Sequence, residues 1–234
     1  MTAPFLTAEW RDLLILNYQV DPALLVPRLP RGTELDLWDG KALVSLVGFR
    51  FLHTRVRGLA IPGHRDFEEI NLRFYVLRRT PAGEARRGVV FIREVVPRVA
   101  IAWVARWRYG EPYRALPMRH RVSDAQVAYG VREAGGWQEM TAVPSGEWIP
   151  ATQRPDFSFI TEHYWGYTRR SVDRTDEYEV RHPVWRVREA RDIHLTLNIG
   201  SLYGPEFLPA LTLPPHSALI AEGSAVEVHH GTIL

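Results

Sequence analysis

Along most of this chain apolar residues alternate with polar ones or gather in short blocks, the spacing of strands rather than of long helices. Arg11 to Val20 and Lys41 to Leu52 are rich in Leu, Val and Phe and are bounded by Asp-Pro and Gly-Lys punctuation, so both are predicted strands. Asn71 to Arg79 and Gly88 to Val96 flank Thr80-Pro81-Ala82-Gly83, whose proline and glycine suit a turn, and the pair is predicted as an antiparallel hairpin. Gln126 to Arg132 and Gln138 to Val143, joined through Ala134-Gly135-Gly136, predict a second hairpin, and Glu177 to Arg181 and Val184 to Ala190 predict later strands. Helices are fewer. Asp21-Pro22 has the form of an N-cap with proline at the first helical position, opening a short helix that Pro27 limits. Arg98 to Trp107 follows Pro97 with a partial helical stripe, and Asp156 to His163 predicts a further turn or two. The expected class is α+β, mainly antiparallel β.

Within the first hairpin, Phe67, Glu69, Asn71, Arg73 and Tyr75 occupy alternate positions and therefore share one face of a strand. A carboxyl, an amide and a guanidinium on one face suit a small polar ligand: Arg73 to hold an anion, Asn71 to orient a carbonyl, Glu69 to move a proton. The opposite face, with Ile70, Leu72, Phe74 and Val76, is apolar, which leaves a second reading in which the polar face is solvated. If the hairpin register sums to about 167, Glu94 stands opposite Arg73 and forms an ordinary cross-strand ion pair.

With 234 residues, 46% hydrophobic and 24% charged, the chain is long enough to bury a sizeable core, and the lack of repeats or linker-like tracts predicts a single domain over residues 1–234. No apolar run reaches membrane-spanning length, and the start carries no basic segment ahead of an apolar core, so a cytoplasmic protein is expected. The absence of cysteine excludes disulfides, thiol catalysis and cysteine-ligated metals. The formal charge of +2 implies no obligatory polyanion partner. Of 29 basic residues only Lys41 is lysine, so lysine chemistry has one candidate.

Arg78, Arg79, Arg86 and Arg87 crowd the hairpin tip and invite a phosphate-gripping reading, but without interleaved aromatics they suit a solvated strand end better and argue against a nucleic-acid partner. The nine histidines show no ligand spacing; His163, His182 and His194 are the set a fold would have to gather for a metal, and no metal or cofactor is expected. Dinucleotide, Walker and nucleophile-elbow motifs are missing. Trp103, Trp107, Trp165 and Trp185 have two readings, an aromatic ligand wall or core packing.

Taken in order, Asp39 to Val47, Phe67 to Val76, Gly110-Glu111-Pro112-Tyr113-Arg114, Glu162-His163-Tyr164 and His182-Pro183-Val184-Trp185 resemble the YqjF-like family, a domain of unknown function (domain of unknown function 2071), over nearly the whole chain. The resemblance implies an acetoacetate decarboxylase-like fold, a mainly antiparallel β-barrel with a few helices and a central cavity, and it makes self-association an expectation without fixing a number. In the decarboxylase a lysine with depressed pKa forms a Schiff base. The matching segment here is Pro112-Tyr113-Arg114, and neither tyrosine nor arginine can form the imine. The resemblance also makes Glu69 the best match to a cavity carboxylate, with Glu68 the adjacent alternative on the opposite face.

The resulting expectation is a protein that binds a small organic acid or carbonyl compound in a barrel cavity and is not an acetoacetate decarboxylase. Glu69 and Tyr113 are its candidate proton carriers, and Asn71, Arg73 and Arg114 its candidate ligand contacts. The alternative is a non-catalytic ligand sensor or interaction module. No role is assigned to Glu162 or His182.

Overall fold

The computed structural model describes residues 3–98 and 113–234. The alternating and block-apolar segments form strands β1 (Leu6–Val20), β2 (Glu34–Leu35), β3 (Ala42–Val56), β4 (Phe67–Arg79), β5 (Ala85–Val96), β6 (Tyr113–Ala115), β7 (Met118–Val122), β8 (Val127–Glu133) and β9 (Gly136–Pro150). After these come β10 (Trp165–Arg169), β11 (Thr175–Arg181), β12 (Arg186–Leu195), β13 (Ser217–Val228) and β14 (Thr232–Ile233), with short helices α1 (Pro155–Thr161), α2 (Ile199–Leu202) and α3 (Leu208–Leu211). The fold is mostly antiparallel β. Both predicted hairpins are present: β4 and β5 turn through Thr80–Gly83, where Gly83 takes φ 83°, and β8 and β9 turn at Gly136, φ 108°.

Among the described residues, strands β11, β10, β5, β4, β3, β1 and β13 follow one another in hydrogen-bonded order, and β13 pairs back to β11 through Val180 and Val228. This ring is uneven. β1 pairs with β3 from Leu6 to Val20, whereas β10 meets β5 in parallel at only Trp165 with Gly88 and Gly166 with Val89. The expected barrel is therefore a seven-stranded ring without regular closure.

From the other edge of β13 the sheet continues through β12, β9, β8 and β7 and folds over the outside of β1, β3 and β4. Between these layers lies a core of Leu14, Leu16, Val44, Leu46, Ile70, Leu72 and Phe74 against Val127, Tyr129, Val131, Met140 and Ala142. Gly48 permits this contact: a Cβ there would stand 2.7 Å from the Tyr129 ring, whose hydroxyl donates to the Asp12 carbonyl at 2.7 Å. The opposite face of the ring strands holds a second cluster, including Leu13, Ile15, Val47, Phe49, Phe67, Tyr75, Phe157 and Phe159. A strand covered on both sides explains why β4 has an apolar outer face without having a solvated inner one.

The helix predicted after Asp21 is two 3-10 turns, Pro22–Leu24 and Val26–Arg28. Asp21 caps the first by accepting from the Ala23 N–H at 2.8 Å, while Pro27 falls at an early position of the second, where a missing N–H costs nothing. The helix predicted from Arg98 to Trp107 falls, apart from Arg98, outside the described residues. No helix among the described residues is long and apolar enough to cross a membrane.

Candidate functional site

The inner face of β4 carries Phe67, Glu69, Asn71, Arg73 and Tyr75, as alternation requires. Its three polar side chains are sunk in the fold: Glu69 and Asn71 are 2% exposed and Arg73 9%. Charged groups this deep cost several kcal/mol each unless partners replace water. Asn71 Nδ2 donates to Glu69 Oε1 at 2.8 Å, and the Tyr113 hydroxyl lies 3.4 Å from Glu69 Oε2. The Arg73 guanidinium reaches the Ile160 carbonyl at 3.5 Å and lies 5.8 Å from the centre of the Tyr75 ring. Arg73 has no ion pair with Glu94. The β4–β5 register places Glu94 opposite Asn71, and an irregularity between Leu72 and Arg73 places Phe91 opposite Arg73. The predicted pairing fails at the turn: β5 begins at Ala85 opposite Arg79, three residues earlier than the predicted Gly88, and the residue inserted at Ile92 shifts the pairings beyond it by only one.

These side chains face one cavity of about 290 Å³ inside the ring. Its polar lining includes Glu69, Asn71, Arg73, Glu94, Tyr113 and His163; the rest is largely aromatic and aliphatic, with Phe49, Phe51, Phe67 and Phe91 nearest the polar strand and Tyr178, Val180 and Val228 at the far side. Tyr113 enters from β6, which lies parallel to β5 with Tyr113 beside Glu94. Arg114, the next residue, points the other way, to Glu133 at 3.0 Å and to Ser201, and is not part of the lining. Lys41 also stands outside it, closing a tight turn with Trp38 over Asp39-Gly40.

His163 was not among the candidate ligand contacts. It follows the C-terminus of α1, and its side chain is only 2% exposed. The ring packs against Tyr75 at 4.6 Å between centroids and meets Phe159 edge-on at 5.5 Å. Nε2 lies 3.2 Å from Asp36 Oδ2, and that carboxyl also accepts from Arg87 Nε at 2.7 Å. Burial drives the His163 pKa down to about 4 despite the opposing Asp36 carboxylate, with Arg87 and Arg73 reinforcing the fall. Burial pushes Asp36 up, but hydrogen bonds from His163 and Arg87 outweigh it and leave the carboxyl below its ordinary value. The ring is thus neutral near pH 7, with its proton on Nε2. Asp36 and His163 stand 127 positions apart, so no local pattern announces the pair; His163 was singled out only in the histidine set weighed for a metal and in the Glu162-His163-Tyr164 segment.

Other candidates are placed differently. Each arginine at the hairpin tip meets a carboxylate: Arg78 and Arg86 share Glu177 at 2.9 and 2.6 Å, Arg79 meets Glu34 at 3.3 Å, and Arg87 meets Asp36. The tip is therefore not an uncompensated phosphate grip. His163, His182 and His194 do not come together, and among the described residues no cluster of three or more such side chains could hold a metal. His182 stacks on Trp185 at 4.3 Å, and Glu162 accepts from Thr161 at 3.0 Å and from the Tyr164 hydroxyl; neither lines the cavity. Trp165 lines it under Arg86, at 4.0 Å from the guanidinium, while Trp185 is packed in the core; Trp103 and Trp107 lie outside the described residues.

The fold has relatives of known structure. An acetoacetate decarboxylase from Legionella pneumophila superposes with a TM-score of 0.71 at 15% identity, over 99% of this chain and 88% of that one. An acetoacetate decarboxylase-like enzyme from Sphingomonas wittichii gives 0.68 at 14%, over 100% and 94%. The enduracididine biosynthesis enzyme MppR, complexed with pyruvate, gives 0.66 at 16%, over 100% and 91%. At these identities the likeness establishes the acetoacetate decarboxylase-like fold. In sequence, the uncharacterized protein YqjF of Bacillus subtilis is 39% identical over 75 residues, 32% of this chain and 31% of that protein, so the match spans about a third of the relative's length. The model of the DUF2071 family of uncharacterized conserved proteins matches residues 7–225, and the chain belongs to that family.

Proposed function

We propose that this protein binds a small organic acid or carbonyl compound in the ring cavity and moves a proton on it without Schiff-base chemistry. The observation that carries the reading is the inner face of β4, where Glu69, Asn71 and Arg73 sit side by side, buried, on the wall of one cavity. Arg73 supplies a fixed positive charge with fork-shaped donors for a carboxylate or carbonyl oxygen. Glu69, held by Asn71 on one oxygen and approached by the Tyr113 hydroxyl on the other, is the proton carrier, and Tyr113 is its relay. Arg114 has no part in this site, because its guanidinium is committed to Glu133 and Ser201.

An imine route needs a primary amine in the cavity, and the single lysine stands elsewhere. A neighbour of the same fold that holds pyruvate supports the ligand class, while the missing amine supports a different chemistry. The missing amine also favours a second reading, a sensor that binds the same ligands without turning them over. A screen of organic acids for ligand-dependent turnover, repeated on Lys41→Ala and Glu69→Gln, tests the proposal. Turnover that survives the first change and collapses on the second supports it; turnover indifferent to Glu69 refutes the mechanism, and affinity without turnover selects the sensor.

A further inference from the structure

We infer that the cavity selects an acid carrying a hydrogen-bond donor next to its carboxylate, a 2-hydroxy or 2-amino acid, in preference to a 2-oxo acid. The inference rests on the proposed role of the cavity as an organic-acid site and narrows its ligand class.

Around Arg73 three buried polar atoms of the cavity wall have no hydrogen-bond partner among the described residues, Asn71 Oδ1, Arg73 Nε and His163 Nδ1; the Thr54 hydroxyl, on β3, is a further one. The hydrogen bonds already made decide what each can do. Asn71 uses its amide nitrogen on Glu69 Oε1, which leaves Oδ1, an acceptor. His163 directs Nε2 at Asp36 Oδ2; a carboxylate only accepts, so Nε2 carries the proton and Nδ1 presents a lone pair. Of what surrounds the ring, burial, Arg87 and Arg73 oppose a second proton and outweigh the Asp36 carboxylate, which favours one. Arg73 is a donor through every nitrogen, and only its terminal nitrogen is used, on the Ile160 carbonyl. The unsatisfied set around Arg73 is therefore one donor and two acceptors, with the Thr54 hydroxyl, able to donate or accept, on another strand.

A complementary ligand offers an acceptor to Arg73 and donors to Asn71 and His163. The carboxylate of any organic acid supplies the first. A 2-oxo acid anion supplies nothing else, so it sets its oxygen lone pairs against those of Asn71 and His163 and leaves both buried acceptors unpaired. A hydroxyl or ammonium at the same carbon supplies the missing N–H or O–H. Sites that hydrogen-bond a ligand group reject the analogue lacking it far more strongly than they reject a change in apolar bulk. Phe49, Phe51, Phe67 and Phe91 line the space beside this polar trio, which suits an aromatic substituent.

The test is calorimetric titration with mandelate, phenylglycine, phenylglyoxylate and phenylacetate, which share ring and carboxylate and differ at the second carbon. Against the wild-type protein, mandelate or phenylglycine is expected to bind at least about tenfold more tightly than the other two. Whichever donor ligand leads assigns the hydroxy or the amino class. In His163→Phe, which keeps a ring between Tyr75 and Phe159, and in Asn71→Ala, the preference is expected to shrink to less than about threefold. Phenylglyoxylate or phenylacetate binding as tightly as the donor-bearing pair to wild type overturns the inference while the organic-acid site stands. So does a preference that persists undiminished in both variants, and the wild-type ranking decides alone if neither variant folds. No binding by any of the four overturns the organic-acid reading itself, and this inference with it.

Discussion

Acidification is expected to destabilise this fold through one buried imidazole. In the unfolded chain His163 titrates near 6.5, whereas in the fold burial and the charges of Arg87 and Arg73 hold it at about 4 against the pull of Asp36. Between those values the unfolded chain binds more protons than the folded one, so stability rises with pH. The contribution is full above about pH 6.5 and is lost as the pH falls toward 4. The gap of about 2.5 pH units, at 1.36 kcal/mol each, corresponds to about 3 kcal/mol, a large fraction of the roughly 5–15 kcal/mol that holds a typical domain together. His163→Gln keeps an N–H donor toward Asp36 but cannot titrate. Urea unfolding of both proteins at intervals between about pH 7 and about pH 4 isolates the ring. His182, also lowered by burial, contributes to both proteins and cancels in the difference, and Asp36 titrates below the window. Wild type is expected to lose about 3 kcal/mol more than the variant over this range. A difference between the two proteins that is constant with pH would refute the neutral, Asp36-bound ring, and with it the argument that Nδ1 is an acceptor.

Other substitutions probe other parts of the account. Gly48→Ala drives a methyl into the Tyr129 ring and is expected to cost about 1–3 kcal/mol in chemical unfolding, with partial recovery in the double variant with Tyr129→Leu. Glu177→Gln removes the carboxylate that Arg78 and Arg86 share and that accepts from Tyr167, and thermal melts are expected to show a loss of about 3 kcal/mol. Arg73→Ala is expected to weaken mandelate binding by at least about tenfold, whereas Arg114→Ala leaves it unchanged; equal effects would return Arg114 to the site.

Strand alternation made the site's backbone legible in advance. Period two alone brings Glu69, Asn71 and Arg73 to one face, but it cannot say whether that face is wet, because the answer depends on β8 and β9 covering the other side through Gly48 and Tyr129. The same rule separates Tyr113 from Arg114, adjacent residues of β6 that must point apart, although reading the segment as a replacement for two lysines assigned both to the ligand. The Glu94 register was out of reach because the turn is tighter than the strand bounds Arg79 and Gly88 imply: Ala85 already pairs with Arg79, which sets Arg73 against Phe91, and the bulge at Ile92, with no reliable local signature, moves the pairings beyond it by one more residue. His163 was harder still. Its role depends on Asp36, brought beside it by the pairing of β2 with β4 and by the turn after α1. The arginine cluster shows the converse: four like charges adjacent in the hairpin look like a site until the fold brings Glu34, Asp36 and Glu177 to meet them.

The central claim is that the ring cavity is a binding site for a small organic acid anchored at Arg73. The most direct measurement is a crystal structure of the protein soaked with 4-bromomandelate, whose bromine marks the ligand by anomalous scattering. The account predicts a bromine peak among the phenylalanines of the cavity, with the carboxylate on Arg73 and the hydroxyl directed at His163 or Asn71. An empty cavity, with bromine only at surface arginines, would contradict it.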